Sequence, residues 1–205
     1  HTLEVEAAKR YALEAAEGGT PKGTEPTRLE ETASPALEPP EGGEHGVEWG
    51  TVIHMLLRVA MENPGADLQR LAMTALREQG LDASLAEAAV DTVDSVMKAD
   101  IWQRALASPR RLVEVPFEIL LDREDSIPVL VRGSIDLVFK EAGGWVLVDY
   151  KTDRFKGGTP KHLLDKYAPQ VRLYAGSWER ITGEQVKETG LYFLRANRFE
   201  RVAGR

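Results

Sequence analysis

The sequence contains no cysteine. Disulfide bonds, zinc–thiolate sites, iron–sulfur clusters and thiol nucleophiles are therefore excluded as the basis of its fold or chemistry. It also has no His-x-His or His-Glu-x-x-His cluster, which argues against a histidine-rich metal hydrolase. Any reactive site must be built from carboxylates, amides, hydroxyls, basic side chains and four isolated histidines.

Long apolar stretches are missing as well. No run approaches the roughly 18 to 20 residues that span a bilayer, and no signal-peptide pattern opens the chain. We therefore expect a cytoplasmic protein with no membrane partner. The chain begins with His1 rather than methionine. We expect a fragment or a trimmed chain, and His1 is better explained as the remnant of a tag.

Positive charge is scarce, and the chain carries a net charge of −7. The acidic excess lies before residue 49, where eleven Glu face four bases, and the remainder is neutral. Between residues 151 and 172 six bases, Arg154 and Lys156 among them, face only two Asp. This stretch is a candidate phosphate-binding track, and a solvated helix face explains it equally well.

The first 46 residues differ in composition from the rest. A short helical segment is predicted from Thr2 to about Glu17, and Gly, Pro, Glu and Thr dominate from Gly18 to Gly46, which is typical of a solvated tether. We predict a helical segment and a flexible acidic linker over 1–46. The folded domain is predicted over 47–205, and its length suffices for one globular core.

Helical spacing of apolar residues predicts an N-terminal helical subregion in that domain. Asp67 and Ser84 are predicted N-caps, and Asn63-Pro64-Gly65 and Gly80 are predicted stops. The predicted helices are Val47 to Glu62, Asp67 to Gln79, Ser84 to Ala99 and Ile101 to Ala107.

Beyond Pro109 the apolar spacing changes to that of strands. The predicted strands are Arg111 to Leu121, Val129 to Phe139, Trp145 to Lys151 and Val186 to Leu194, with a helix over Lys161 to Thr182. A strand, helix and strand in succession predict a parallel pair joined by a crossover. The fold class is therefore α/β, with a small mixed sheet flanked by helices.

The third predicted strand is apolar until it ends in a charged pair. Side chains alternate along a strand, so Asp149 and Lys151 share one face at its carboxyl end. A partly buried ion pair is one interpretation, although such pairs often stabilise a fold little. The other interpretation is a reactive site, which requires partners elsewhere in the chain.

Asp136 is the first such partner. It lies between Ile135 and Leu137 on the preceding strand, and the turn at 141–144 folds that strand back beside Asp149. Two neighbouring carboxylates repel unless a proton or a cation lies between them. Hard divalent metals take oxygen ligands, so the pair predicts a Mg²⁺ or Mn²⁺ site.

Short motifs spanning residues 50–174 resemble the RecB-like branch of the PD-(D/E)xK nuclease superfamily. The central one is Asp136 followed, after twelve residues, by Asp149-Tyr150-Lys151-Thr152. The others are Gly50-Thr51-Val52-Ile53-His54, Val113-Glu114-Val115-Pro116-Phe117 and Tyr167-x-x-Gln170-x-x-x-Tyr174. Because it lacks cysteine, the chain resembles the AddA type of helicase-nuclease subunit more than relatives that hold an iron–sulfur cluster.

The resemblance implies a restriction-endonuclease-like core that cleaves DNA with Mg²⁺ or Mn²⁺. It implies that the metal ligands are His54, Asp136, Asp149 and the backbone carbonyl of Tyr150. The residues implied or predicted to be catalytic are Asp136, Asp149, Lys151 and Glu114. The DNA-binding candidates are Gln170, Tyr174, Tyr167, Arg154 and Lys156. Glu114 has an alternative role as a solvated acid on an edge strand.

The resemblance also implies partners and a pathway. The partners are DNA, expected to be single-stranded, a helicase motor in the same parent chain and a second helicase-nuclease subunit. The implied role is that of an exonuclease in double-strand break repair and homologous recombination. The alternative is a catalytically inactive nuclease fold that binds DNA or acts as a scaffold, which would lack at least one metal ligand; none is missing here.

Overall fold

The structure is a computed structural model that describes residues 46–121, 129–153, 157 and 161–203. The predicted helical segment and almost all of the predicted linker lie outside these residues. The sequence also predicts a turn at 122–126, and this turn, Arg154 and Lys156 lie outside the described residues too. The domain boundary near Gly46 therefore stays a prediction.

Four helices open the described part of the chain, close to the predicted bounds. They are α1 (Gly46–Glu62), α2 (Leu68–Glu78), α3 (Ala86–Met97) and α4 (Asp100–Ala107). Asp67 caps α2 as predicted, because its carboxylate accepts the N–H of Arg70 at 3.0 Å. The predicted cap at Ser84 is wrong, since Ser84 lies inside a 3₁₀ turn and its N–H donates to Asp82 at 2.8 Å.

One long helix lies between the third and fourth strands. In chain order the elements are β1 (Arg111–Leu121), β2 (Val129–Glu141), β3 (Gly144–Lys151), helix α5 (Lys161–Thr182), β4 (Val186–Phe193) and β5 (Arg198–Val202). The sequence does not predict β5, because it has only five residues and three of them are charged. It follows a turn in which Asn197 has a positive φ of 47°.

The five strands form one mixed sheet in the order β1-β2-β3-β4-β5. β3 and β4 are parallel, and the other neighbours are antiparallel. The predicted parallel pair is thus confirmed, with α5 as its crossover. β3 is the central strand, and its carboxyl end is paired with β4 as far as Lys151.

Helices cover both faces of the sheet and bury β3 from Trp145 to Tyr150. On one face Val146, Val148 and Tyr150 pack into the larger apolar cluster with α1 to α4. On the other face Trp145 and Leu147 pack with Trp178 of α5 and with side chains of β1 and β2. The predicted fold class, a small mixed sheet flanked by helices, is confirmed. Among the described residues, no helix is long and apolar enough to cross a membrane.

Candidate metal centre and catalytic site

The carboxyl end of β3 presents the predicted charged pair. The ammonium of Lys151 lies 2.6 Å from Oδ2 of Asp149. Asp149 is 3% exposed, and the Lys151 side chain is 15% exposed. The alternation of side chains along the strand thus places both groups on the face covered by α5.

Asp136 of β2 lies beside this end of β3. The pairing of the two strands ends at Leu137 and Val148. Asp136, the residue before Leu137, therefore lies just beyond the last hydrogen-bonded pair. Its Oδ2 accepts the backbone N–H of Tyr150 at 2.6 Å. A carboxylate therefore takes the place of a ladder carbonyl, which fixes Asp136 against β3.

His54 of α1 reaches the same carboxylate from the other side. Its Nδ1 lies 3.2 Å from Oδ1 of Asp136, and its ring meets the ring of Tyr150 edge to face at 5.9 Å. A Cβ added at Gly50 would lie 3.5 Å from Oγ1 of Thr152. The start of α1 thus lies against the end of β3, at a distance that a Cβ at Gly50 would still permit.

Glu114 joins the group through an irregularity in β1. Its φ is +48°, a conformation that residues with a side chain adopt rarely. Val113 packs against the larger apolar cluster, whereas Val115 packs against the cluster under α5. The strand thus changes its inward face at Glu114. The sequence places Glu114 and Phe117 on one face only if the strand bulges near Pro116, and the irregularity lies two residues earlier, at Glu114 itself.

The irregular backbone turns the Glu114 carboxylate toward His54 and Asp136. Oε1 of Glu114 lies 3.9 Å from Nδ1 of His54, and its Oε2 accepts the hydroxyl of Ser134 at 3.2 Å. One ligand atom from each of His54, Glu114 and Asp136 lies within 4.8 Å of the others. Glu114 is thus part of a convergent cluster rather than a solvated edge acid.

His54 and Asp136 stabilise each other's charge. Burial lowers the pKa of His54, but the charge and hydrogen bond of Asp136 outweigh it and raise that pKa to about 9. Burial also opposes ionisation of Asp136, yet His54 above all lowers its pKa. Since a metal binds neutral imidazole, an incoming cation would replace the proton that His54 holds here.

The pKa values of the other two carboxylates, Asp149 and Glu114, are raised, whereas that of Asp136 is lowered. Burial raises the pKa of Asp149, and the charge of Asp136 adds to it against the opposing ammonium of Lys151. Burial and the same Asp136 charge raise the pKa of Glu114. Carboxylates brought together in this way take up a proton or a cation. The donor set of one imidazole and convergent carboxylate oxygens fits a divalent metal.

The predicted metal ligands are only partly assembled. His54 and Asp136 lie together, but Asp149 is not in the three-residue cluster, and its Oδ2 contacts Lys151 instead. The Tyr150 side chain is buried in the larger apolar cluster, so any ligand role falls to its backbone carbonyl. The roles of Asp149 and Tyr150 toward a metal stay predictions.

Helix α5 places Gln170 against Lys151 and Tyr174 beside Gln170. The Lys151 ammonium donates to Oε1 of Gln170 at 3.1 Å, and Nε2 of Gln170 donates to the Tyr174 hydroxyl at 2.5 Å. Burial above all raises the pKa of Tyr174, so its phenol stays protonated. In this structure Gln170 links Lys151 to Tyr174, and the DNA-binding roles of both α5 residues stay predictions.

Two residues of this region carry no role predicted from the sequence. Ser134 donates to Glu114, and Asp153 accepts the hydroxyl of Tyr167. Each lies two residues from a predicted site residue, Asp136 and Lys151 respectively. Because strand residues two apart share a face, that spacing is a signal that could have identified Ser134.

Gly133 makes room for the ring that supports Tyr174. A Cβ at Gly133 would lie 2.8 Å from Cε1 of Phe117 and 3.6 Å from Cε1 of Tyr174. The two rings meet edge to face at 5.3 Å. A glycine inside a strand indicates a close approach, and at Gly133 that approach is to the buried ring of Phe117.

We predict that Gly133→Ala lowers the free energy of unfolding by about 1 to 3 kcal/mol, because it overpacks this cluster. Cleavage should also slow, since the displaced ring supports Tyr174 and, through it, Gln170. Gly176→Ala is the matched control, because a Cβ at that helical position meets nothing within 4 Å. Urea unfolding of both variants measures the difference, and equal stabilities would contradict the packing role.

Comparisons with known proteins agree with the geometry. The family model described as PD-(D/E)XK nuclease superfamily matches residues 9–203. The A subunit of the ATP-dependent helicase/nuclease of Alkaliphilus metalliredigens (strain QYMF) is 34% identical over 160 residues, which are 72% of this chain and 13% of that protein. The protein of the same name from Carboxydothermus hydrogenoformans (strain ATCC BAA-161 / DSM 6008 / Z-2901) is 36% identical over 115 residues, or 52% of this chain and 10% of that protein.

The chain therefore spans about an eighth or less of the curated relatives it matches. The family match, in contrast, covers almost the whole chain. The sheet of this chain carries Asp136 and the Asp149-x-Lys151 motif on the neighbouring strands β2 and β3. The chain belongs to the PD-(D/E)XK nuclease superfamily.

Proposed function

We propose that this chain is the nuclease domain of an AddA-type helicase-nuclease and that it hydrolyses DNA phosphodiester bonds with Mg²⁺ or Mn²⁺. The observation that carries the proposal is the convergence of His54, Glu114 and Asp136, with ligand atoms within 4.8 Å of one another. The Asp149–Lys151 pair lies on the adjoining strand. Candidate cation ligands and a candidate catalytic ammonium therefore lie close together, beside the carboxyl end of β3.

His54, Glu114 and Asp136 would hold the metal, with Asp149 and the Tyr150 carbonyl as further proposed ligands. A bound divalent metal lowers the pKa of a water molecule and neutralises charge on the scissile phosphate. The Tyr150 N–H and the Ser134 hydroxyl hold the carboxylates of Asp136 and Glu114 in place. This support matters because ligands must be oriented before the metal binds.

Lys151 would stabilise the negative charge that develops during hydrolysis and would orient the attacking water. It needs a fixed position for this role. Asp149 and Gln170 supply it through contacts of 2.6 and 3.1 Å. Two anchors on an otherwise flexible side chain reduce the reorganisation that the reaction requires.

Tyr167, Gln170 and Tyr174 are proposed to face the nucleic-acid backbone, with Arg154 and Lys156 as phosphate contacts. The proposed setting is cytoplasmic double-strand break repair and homologous recombination. A helicase motor in the parent chain would supply single-stranded DNA, and a second subunit would complete the complex. Residues 49–205 carry no net charge, so DNA binding by this chain alone should be weak and sensitive to salt.

The test is cleavage of labelled single- and double-stranded DNA by residues 1–205. We expect cleavage with Mg²⁺ or Mn²⁺, none with EDTA, and recovery when the metal is restored. A catalytically inactive scaffold would instead bind DNA without cleaving it under any of these conditions. That result, obtained at protein concentrations that saturate the DNA, would refute the proposed activity.

A further inference from the structure

The Lys151 side chain is confined on three sides. Asp149 and Gln170 hold its ammonium by polar contacts of 2.6 and 3.1 Å. On the third side Nζ lies 4.4 Å from the ring centroid of Tyr167, which is within the range of a cation–π contact. The ring therefore closes the space into which the ammonium could otherwise turn.

Tyr167 is itself held by a residue outside the predicted site. Its hydroxyl lies 3.0 Å from both carboxylate oxygens of Asp153. The Asp153 side chain is 16% exposed. Burial and then the charge of Asp153 raise the pKa of Tyr167, so the phenol stays a donor to this carboxylate. A charged acceptor makes such a hydrogen bond stronger than one between neutral groups.

We propose that Asp153 is a positioning residue that acts through Tyr167 to hold Lys151 in its reactive place. The inference deepens the proposed function and rests on it. Asp153 belongs to the segment that follows β3, whereas Tyr167 belongs to α5, so their hydrogen bond joins the two elements that frame the lysine. Losing the bond would free the ring to turn away while Asp149 and Gln170 stay in place.

The geometry also gives a physical reason for a charged acceptor. A phenol that donates to a carboxylate carries more electron density in its ring, and a cation over the ring face is attracted to that density. Asp153 would therefore both fix the ring and strengthen its contact with the ammonium. A phenylalanine in place of Tyr167 would keep the ring and lose both effects.

A second neighbour of Asp153 defines the competing explanation. Lys166 lies 3.9 Å from Oδ1 of Asp153 and 4.6 Å from the centroid of the Tyr167 ring. The Lys166 side chain is 42% exposed, and exposed pairs contribute little to stability. If Asp153 served only to fasten the start of α5, its loss would lower stability without moving Lys151.

The test compares Asp153→Ala, Asp153→Asn and Tyr167→Leu in the chain of residues 1–205, with Asp165→Asn as the matched control. Asp165 is an exposed acid on α5 that pairs with Lys161 at 2.9 Å. We expect Asp153→Ala to lower kcat about tenfold and to change KM less than about twofold, because a small displacement of a catalytic group slows the reaction without weakening binding. Asp153→Asn should restore most of the rate, since its amide oxygen still accepts the phenol.

A double variant tests whether the two residues act through one another. Asp153→Ala combined with Tyr167→Leu should be no slower than Tyr167→Leu alone, because residues that act in one contact are not additive. Rates that fall by the product of the single effects would show that Asp153 acts independently of Tyr167, which would overturn the proposal.

The position of Lys151 is also measured without any cleavage. In protein labelled with ¹³C-lysine, the Hε signals of Lys151, assigned by Lys151→Arg, should be shifted upfield by the Tyr167 ring. The shift should persist in Asp153→Asn and Asp165→Asn and disappear in Asp153→Ala. If Asp153→Ala keeps the shift, the proposal is wrong whatever happens to kcat. If the wild-type chain cleaves no DNA, the proposed function fails, and the NMR result alone decides the positioning role.

Discussion

Asp149→Asn is expected to slow DNA cleavage by about 10²- to 10⁴-fold while leaving the fold intact, because it removes a buried charge beside the reactive lysine. The amide has nearly the shape of the carboxylate, but it cannot balance the Lys151 ammonium at 2.6 Å or attract a cation. Single-turnover cleavage with saturating Mn²⁺ measures the effect, and circular dichroism monitors the fold.

The choice of Asn rather than Ala follows from the structure. The sequence alone predicts that Asp149→Ala is harmless to folding, because it relieves repulsion from Asp136. The structure changes that expectation, since Asp149 is 3% exposed and paired with Lys151. Breaking a buried pair by removing one partner costs about 3 to 5 kcal/mol. Asp91→Asn on α3 is the control, and a wild-type rate in Asp149→Asn would refute the site.

Lys151→Ala should also slow cleavage by about 10²- to 10⁴-fold, because it removes the group that is proposed to stabilise developing charge. The variant breaks the buried pair with Asp149 as well, so circular dichroism and urea unfolding check that it is still folded. Mn²⁺ affinity should change less than about threefold, since an ammonium carries no lone pair and cannot ligate a cation. The predicted signature is therefore a lost rate with a preserved metal site. Calorimetric titration with Mn²⁺ and single-turnover cleavage measure the two quantities.

The control for this variant is Lys98→Ala, which removes a lysine just after α3 in the helical layer. It should match the wild-type chain in both measurements. If Lys151→Ala loses its Mn²⁺ affinity, Lys151 acts as a support for Asp149 rather than as a catalytic group.

The sequence predicted the parts of the site that depend on strand periodicity. An apolar run that ends in Asp149 and Lys151 requires a central strand with both groups on one face. The short turn after Glu141 folds that strand back beside the preceding one, so Asp136 lies next to it. Helical spacing in α5 likewise placed Gln170 and Tyr174 on one stripe. These relations are local, so the chain's own alternation determines them.

The features that the sequence did not predict depend on tertiary contacts, which leave no local pattern in the sequence. Glu114 is a catalytic candidate from the sequence, but its approach to His54 accompanies a φ of +48°, which its residue type does not predict. Asp153 meets Tyr167 across the connection from β3 to α5, which lacks a regular period. β5 forms because β4 offers an open edge, although its own sequence is short and charged.

The central claim is that His54, Glu114 and Asp136 together bind one divalent metal. The direct measurement is electron spin echo spectroscopy of the chain loaded with one equivalent of Mn²⁺. The account predicts ¹⁴N modulation from a single imidazole, present in the wild-type chain and in His162→Ala and absent in His54→Ala. Modulation that survives in His54→Ala, or that is missing from the wild-type chain, would contradict it.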